Sequence, residues 1–211
     1  GNGRAMGCKG GNGMITIAVR VKRKNLLAVL AAAAVVHVVG LGVIHLPWKG
    51  ELTPAQLVEV LSRQKAEEVA VQAGPDDVVI AADTVVAVDG AVLGKPRDPA
   101  DAARMLSLLS GRAHTVYTGV TVRRGTFSRT AHEATQVRFR PLTQSEISAY
   151  IATGEPMDKA GAYGIQGRGC VLVEGIDGNY HNVVGLPTCL LAGMLRQVGI
   201  DVLTGGQEGR P

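Results

Sequence analysis

Residues 78–88 are apolar except for Asp83 and Thr84, so the chain must bury this run inside a sheet. Its first part, residues 78–82, is rich in β-branched side chains and predicts a buried strand, and a strand resumes at residues 85–88. A carboxylate in such surroundings costs free energy unless it is hydrogen-bonded, paired or bound to a cation. Polar residues at strand ends line the ligand crevice of open α/β sheets. We therefore expect Asp83 to end the first strand at a binding site, with the Thr84 hydroxyl beside its carboxylate.

A second polar segment covers residues 154–167, where four glycines, two acids, Lys159 and Gln166 leave almost no apolar side chain to bury. The glycines permit close backbone approach and positive φ, and the polar groups can meet a ligand. A solvated surface loop is the alternative interpretation. Lys95 lies between a glycine and a proline, where a short stiff loop would present a cation to phosphate. Taken alone, Asp83 could instead be a cap and Lys95 a solvated lysine.

These segments belong to six blocks that occur in a characteristic order between residues 52 and 200. The blocks are residues 81–86, 93–96, 109–111, 114–120, 154–167 and 178–187. Together they resemble the Maf family of nucleoside triphosphate pyrophosphatases. The resemblance implies an α/β fold with a single domain, a mixed and bent sheet flanked by helices, and a central nucleotide cleft.

The resemblance also implies a reaction, the hydrolysis of a nucleoside triphosphate between its α and β phosphates with a divalent metal cation, Mg²⁺ or Mn²⁺. By position, Asp83 matches the family's proton acceptor and is the candidate metal ligand. The other matching positions are Lys95 and Lys159 near the triphosphate, and Thr84 and Gln166 in base selection. Residues 164–167 have the form of the dTTP/UTP branch, and one amide offers a pyrimidine edge both a donor and an acceptor.

The amino-terminal segment departs from the family pattern, which carries Ser-x-Ser-Pro-Arg-Arg after its first strand. At residues 18–27 only Lys22 and Arg23 keep the basic pair, as candidate phosphate contacts. The departures are Ala18, Arg20 and Val21 in place of the serines and proline, and Ile44 and His45 in place of an acidic pair. Two hypotheses follow: a nucleotide diphosphatase that hydrolyses dTTP and UTP, and a catalytically impaired nucleotide-binding protein of the same fold.

Residues 26–46 are apolar, follow a basic cluster and approach the length of a membrane span. A signal anchor is therefore one interpretation of this segment. Two histidines and two glycines favour another, a buried helix at residues 24–34 followed by a core strand at residues 35–39. An artefact of the sequence in this region is a third.

Length and composition favour one domain at residues 14–204, between a glycine-rich tail at residues 1–13 and a polar tail at residues 205–211. Three unclustered cysteines indicate a reducing compartment, and we expect a cytoplasmic protein without a membrane partner. Aromatic residues make up only 3 % of the chain, which argues against a nucleic-acid-binding protein. A homodimer is a further expectation from the family.

The remaining patterns predict alternating helices and strands. Helices are expected at residues 54–71, 99–109, 143–152 and 186–198, and strands at residues 115–123, 128–138 and 170–174. Thr53 is a candidate N-cap, and Thr143 with Glu146 predicts a capping box.

Overall fold

The computed structural model describes residues 15–22, by their backbone alone, and residues 52–204. Its strands are β1 (Ile15–Lys22), β2 (Asp77–Val88), β3 (Ala91–Leu93), β4 (Ala113–Arg124), β5 (Phe127–Phe139) and β6 (Val173–Asp177). Its helices are α1 (Pro54–Ala70), α2 (Pro99–Leu109), α3 (Gln144–Ala152), α4 (Tyr180–Val184) and α5 (Thr188–Arg196). The α/β class predicted from the sequence is confirmed.

The strands form one sheet in the order β1-β2-β4-β5-β6, and β3 pairs with the C-terminal end of β2. Each pairing among the described strands is antiparallel, so the parallel pair that a mixed sheet requires is not found in residues 15–22 and 52–204. The predicted helix at residues 24–34, the strand at residues 35–39 and both tails lie outside the described residues.

Two layers of helix cover this sheet. Because side chains alternate along a strand, Val79, Ala81 and Val85 of β2 face α1 and pack on it. The opposite face of β2 supports two apolar clusters, one with α2 and α3 around Val86 and one with α5 around Ile80. The sheet therefore has a buried core on both sides, which explains the nearly continuous apolar sequence of β2.

Local signals set most element boundaries where the sequence predicts them. The α2 helix occupies the predicted residues, with Asp98 as N-cap and a proline in its first turn. Thr53 caps α1, and Thr143 with Glu146 forms the predicted capping box of α3. The 115–123 and 128–138 strands are confirmed as the hairpin β4–β5, each a few residues longer than predicted.

Three predictions about strand and helix ends are wrong. Asp83 and Thr84 do not end a strand, because β2 pairs continuously with β1 and β4 through both residues. The strand predicted at residues 170–174 begins only at Val173, since Gly167–Leu172 forms a 3₁₀ turn. The closing helix begins at Thr188, after a separate helix α4 that ends at Gly185 with a φ of 111°.

None of the helices described in residues 52–204 is long and apolar enough to cross a membrane. The candidate anchor at residues 26–46 lies outside that part of the chain.

Candidate active site

Asp83 lies at the centre of β2, fully buried, between Thr16 of β1 and Gly119 of β4. Its side chain faces α1, where Lys65 Nζ donates to Asp83 Oδ1 in a buried ion pair. Only 12 % of the Lys65 side chain is exposed. The lysine compensates a carboxylate that would otherwise be costly to bury.

Lys65 is not among the site residues predicted from the sequence, although the sequence contains a signal for it. The buried positions of α1 include Val58, Ser62 and Ala66, which repeat at helical spacing. Lys65 adjoins this stripe, so the helix turns its ammonium group towards the sheet. A lysine at the edge of a buried helical stripe, together with a carboxylate inside a buried strand, indicates an ion pair between the two.

Gly119 allows α1 to approach the sheet closely beside Asp83. A Cβ atom at Gly119 would lie 2.2 Å from the carbonyl oxygen of Val58, which is far inside van der Waals contact. Next to it, Ser62 Oγ lies 3.0 Å from Thr121 Oγ1, which lies 2.9 Å from Thr130 Oγ1. The α1 side of the sheet thus carries a line of hydroxyl groups near the buried ion pair.

Thr84 faces the other side of the sheet, so the expected contact between its hydroxyl and the Asp83 carboxylate is wrong. Alternation along β2 separates the two side chains. Thr84 Oγ1 lies 2.8 Å from Thr118 Oγ1, and Thr118 Oγ1 donates to the carbonyl oxygen of Asn182 at 3.0 Å. Asn182 Nδ2 in turn donates to the Val116 carbonyl oxygen at 3.0 Å. These groups form a buried polar seam between the two apolar clusters on that face.

Lys95 follows β3 on a short connection and is half-buried. The residue before it, Gly94, accepts a backbone hydrogen bond from Gly161 at 3.0 Å. Gly161 has a φ of 70°, and a Cβ atom there would lie 2.9 Å from Cγ2 of Val86. The structure therefore brings the Lys95 loop and the segment at residues 154–167 together beside the end of β2.

The segment at residues 154–167 is not the solvated surface loop of the alternative interpretation. It forms two 3₁₀ turns, Glu155–Asp158 and Ala160–Ala162, and buries apolar side chains in the main core. Tyr163 is buried with its hydroxyl 2.8 Å from His114 Nε2, and both rings meet Phe139 edge-on. Burial raises the pKa of the Tyr163 hydroxyl and lowers the pKa of His114 from 6.5 to about 4.

The two polar side chains that this segment offers differ in their surroundings. Lys159 Nζ donates to the Glu155 carbonyl oxygen at 3.1 Å and to Asp158 Oδ1 at 2.6 Å. Its aliphatic stem lies over Gly164, where a Cβ atom would come within 2.8 Å of Lys159 Cδ and Cε. Gln166 is exposed, on the same segment.

The amino-terminal candidates are not brought into this group. Lys22 pairs with Asp77, six residues from Asp83 along β2, which places its backbone roughly 20 Å from the Asp83 position. Arg23 lies outside the described residues. The structure thus unites the Lys95 and Lys159 segments beside Val86. It holds Asp83 on the α1 face with Lys65 and keeps Lys22 at the opposite end of β2.

The donor set for a metal ion is sparse. Residues 52–204 contain no cluster of three or more His, Cys, Asp or Glu side chains that could hold a cation. Asp83 offers a single buried carboxylate. This suits Mg²⁺, which proteins commonly bind through one or two carboxylates together with substrate phosphates.

Comparison with known families identifies the chain. The sequence model of the family described as Maf-like protein matches residues 21–198, which is most of the chain. The chain belongs to the Maf family. The match reaches into the amino-terminal segment in which the Ser-x-Ser-Pro-Arg-Arg pattern is altered.

Similar proteins that carry the name dTTP/UTP pyrophosphatase match most of this chain, and the matched part is also most of their own length. The dTTP/UTP pyrophosphatase of Symbiobacterium thermophilum is 54 % identical over 154 residues, which are 73 % of this chain and 79 % of the relative. That of Moorella thermoacetica is 57 % identical over 155 residues, covering 72 % and 78 %. That of Agathobacter rectalis is 46 % identical over 203 residues, covering 86 % and 95 %.

Proposed function

We propose that this Maf protein hydrolyses dTTP and UTP to the nucleoside monophosphate and pyrophosphate. Relatives at 46–57 % identity that carry the name dTTP/UTP pyrophosphatase support the reaction. The structural observation that carries the proposal is the hydrogen bond from Gly161 N to the Gly94 carbonyl oxygen. It joins the two segments that bear Lys95 and Lys159, so two cations approach one polyanionic substrate from adjacent loops.

Lys159 has the capacity to bind phosphate without losing its present contacts. Its ammonium group has three N–H donors, and two of them are directed to the Glu155 carbonyl oxygen and the Asp158 carboxylate. The third donor can meet a phosphate oxygen. Lys95 is half-buried, and Pro96 restricts the backbone conformation of the loop that carries it.

Gln166 is the proposed base-reading residue because its amide is exposed on the same segment as Lys159. An amide held in the orientation that pairs with the donor and acceptor groups of a uracil or thymine edge loses those pairs with cytosine, on whose edge donor and acceptor are exchanged. The assignment of Thr84 to base selection stays a prediction. Thr84 is only 2 % exposed, and its hydroxyl is hydrogen-bonded to the hydroxyl of Thr118.

Asp83 is the proposed proton acceptor for the attacking water. The water oxygen bonds to the α phosphorus, the bond from that phosphorus to the bridging oxygen breaks, and pyrophosphate leaves with the bond's electron pair. The carboxylate takes the proton from the water. The Lys65 ammonium group lies against this carboxylate and compensates its burial.

A divalent cation, Mg²⁺ or Mn²⁺, is part of the proposal. Asp83 would hold it together with phosphate oxygens of the substrate. This requires the carboxylate to turn away from Lys65, because it lies on the α1 face of β2 while the Lys159 segment packs against Val86 on the opposite face. When bound, the cation neutralises charge on the triphosphate and polarises the phosphorus–oxygen bonds.

A triphosphate panel tests the function. The full chain is incubated with dTTP, UTP, CTP and GTP, each with Mg²⁺ or Mn²⁺, and pyrophosphate release is measured. Release from dTTP and UTP ahead of CTP and GTP is expected. Nucleotide that raises the melting temperature while no product forms would instead support the catalytically impaired binding protein.

We also infer a cytoplasmic location and no nucleic-acid partner. The two cysteines in residues 52–204, Cys170 and Cys189, are exposed free thiols, as a reducing compartment favours. Homodimer formation is proposed on the family resemblance, and light scattering of the purified chain checks it.

A further inference from the structure

Gln166 lies on a short segment, residues 164–169, which we call the arch. No contact of the Gln166 side chain with the described residues holds that side chain in place. The side chain is exposed, and its amide makes no hydrogen bond to the part of the chain that the structure describes. The backbone of the arch therefore sets the position of the Gln166 Cα atom and hence the region that its amide can reach.

Both ends are held by one pair of side chains, Glu155 and Tyr150. The Glu155 carboxylate accepts from the Arg168 backbone N–H at 2.9 Å and from the Gly169 backbone N–H at 3.0 Å. Tyr150 donates its hydroxyl to the same carboxylate at 2.9 Å. That hydroxyl accepts from the Gly164 backbone N–H at 3.2 Å, which closes the arch.

The backbone of the arch packs closely against Glu155 and Tyr150. A Cβ atom at Gly169 would lie 2.3 Å from the Gly164 carbonyl oxygen and 2.5 Å from the Tyr150 hydroxyl. A Cβ atom at Gly167, whose φ is 67°, would lie 2.8 Å from Glu155 Oε2. The backbone thus contacts the two side chains at residue 164 and at residues 167–169, and only glycine fits at positions 167 and 169.

The backbone of Glu155 also contacts Lys159, whose ammonium group donates to Asp158 as well. The backbone carbonyl oxygen of Glu155 accepts a hydrogen bond from Lys159 Nζ at 3.1 Å. The aliphatic part of the lysine side chain packs over Gly164, the first residue of the arch. A displacement of Glu155 would therefore move the proposed phosphate contact and the proposed base contact together. The distance between Lys159 and Gln166 therefore depends on the position of Glu155.

Both members of the pair keep the required protonation state near neutral pH. Burial alone would raise the pKa of Glu155, but hydrogen bonds from Arg168, Gly169 and Tyr150 outweigh it and hold the pKa below its ordinary value of 4.5. Burial raises the pKa of Tyr150 above its ordinary value of 10. The carboxylate thus stays an acceptor and the phenol stays a donor.

We propose that Glu155, acting with Tyr150, is a positioning residue that fixes Gln166 relative to Lys159 and thereby sets the preference for uracil and thymine over cytosine. The proposal rests on the proposed function, because it concerns the base preference of that same site. Neither residue is required to touch the substrate.

Two substitutions test it, each with a matched control. In Glu155→Gln the side chain keeps its size, but one carboxylate oxygen becomes an amide NH₂ group, which donates and cannot accept a hydrogen bond from the arch. In Tyr150→Phe both hydrogen bonds of the phenol are lost. The controls are Glu174→Gln and Tyr180→Phe, which alter an exposed glutamate and an exposed tyrosine outside the arch.

The measurement is the ratio of kcat/KM for UTP to that for CTP in the full chain. We expect either substitution to lower this ratio about tenfold, the equivalent of one well-made hydrogen bond. The controls should leave it unchanged. In a Gln166→Ala background, Glu155→Gln should lower the ratio no further, since the residue acts through Gln166.

A purely structural role would reduce both rates equally and leave the ratio intact, and that result overturns the proposal. Melting curves identify a variant that does not fold, in which case the other variant decides. If the unaltered chain hydrolyses no triphosphate, the proposed function fails separately. The base preference is then measured as the melting shift with UTP against CTP, and an unchanged preference in both variants again overturns the proposal.

Discussion

Asp83 and Thr84 are neighbours in the chain, yet their side chains lie on opposite faces of β2. Asp83 pairs with Lys65 under α1, whereas Thr84 lies in the buried seam with Thr118 and Asn182. The two residues of this motif therefore belong to different environments, and substitutions at each should have separable effects.

Asp83→Asn should abolish most catalysis and also lower the melting temperature, because the buried Lys65 ammonium group loses the charge of this carboxylate. The amide keeps the shape of the side chain but cannot take a proton from water, and loss of a general base costs about 10²- to 10⁴-fold in rate. Pyrophosphate release from UTP measures the loss, and a melting curve shows that the variant is folded. Activity that survives Asp83→Asn would remove Asp83 from the role of proton acceptor.

Thr84→Val should change stability more than base preference. Valine fills the same volume but removes a buried hydroxyl whose partner is Thr118, and we expect a loss of about 1 kcal/mol in the free energy of unfolding. Urea denaturation measures this loss, and the UTP to CTP ratio is expected to stay constant. A changed ratio would instead support the assignment of Thr84 to base selection.

Gly119→Ala should destabilise the protein strongly, because its new methyl group would collide with the backbone of Val58. Overpacking of this kind costs about 1–3 kcal/mol or more when the clashing atom is backbone. Gly193→Ala is the matched control, since Gly193 lies inside α5 and a Cβ atom there meets nothing within 4 Å. It should stabilise the protein by up to about 1 kcal/mol. Equal unfolding midpoints for the two variants would contradict the close approach of α1.

The sequence predicts those parts of the fold whose signals are local. The α2 helix needs only an N-cap at Asp98, a proline at the first position and apolar residues at helical spacing, all within a dozen residues. The 154–167 segment was predicted to bury almost nothing, because glycines and charges outnumber its apolar residues. Tyr163 is nevertheless buried, since its hydroxyl meets His114 from 49 positions earlier in the chain.

The candidate site shows the same division between local and distant information. The residue types in the Asp83, Lys95 and Lys159 motifs are visible in the sequence, and so is their order. Their partners are not. Lys65 lies 18 residues before Asp83, and the Gly94–Gly161 hydrogen bond joins segments that are further apart still. Such pairs depend on how α1 and the loops pack on the sheet, which no local pattern specifies.

His114 should make the protein less stable in mild acid. It is buried, and its pKa falls from 6.5 to about 4 because the low-dielectric core disfavours the imidazolium ion. An unfolded chain therefore binds a proton between these two values that the folded chain does not. Stability from this group is complete above pH 6.5, declines as the pH falls towards 4, and changes no further below that.

The size of this decline follows from the pKa difference, at about 1.4 kcal/mol per pH unit, and is roughly 3 kcal/mol in total. His114→Gln should remove it, because glutamine stays neutral at every pH and can still bond the Tyr163 hydroxyl. His132→Gln, at an exposed position on β5, is the control and should leave the decline in place. Urea denaturation at pH 7 and pH 4.5 for the three proteins measures the difference. If His114→Gln loses as much stability between these values as the unaltered chain, the acid sensitivity comes from other groups and the core tolerates a charged His114.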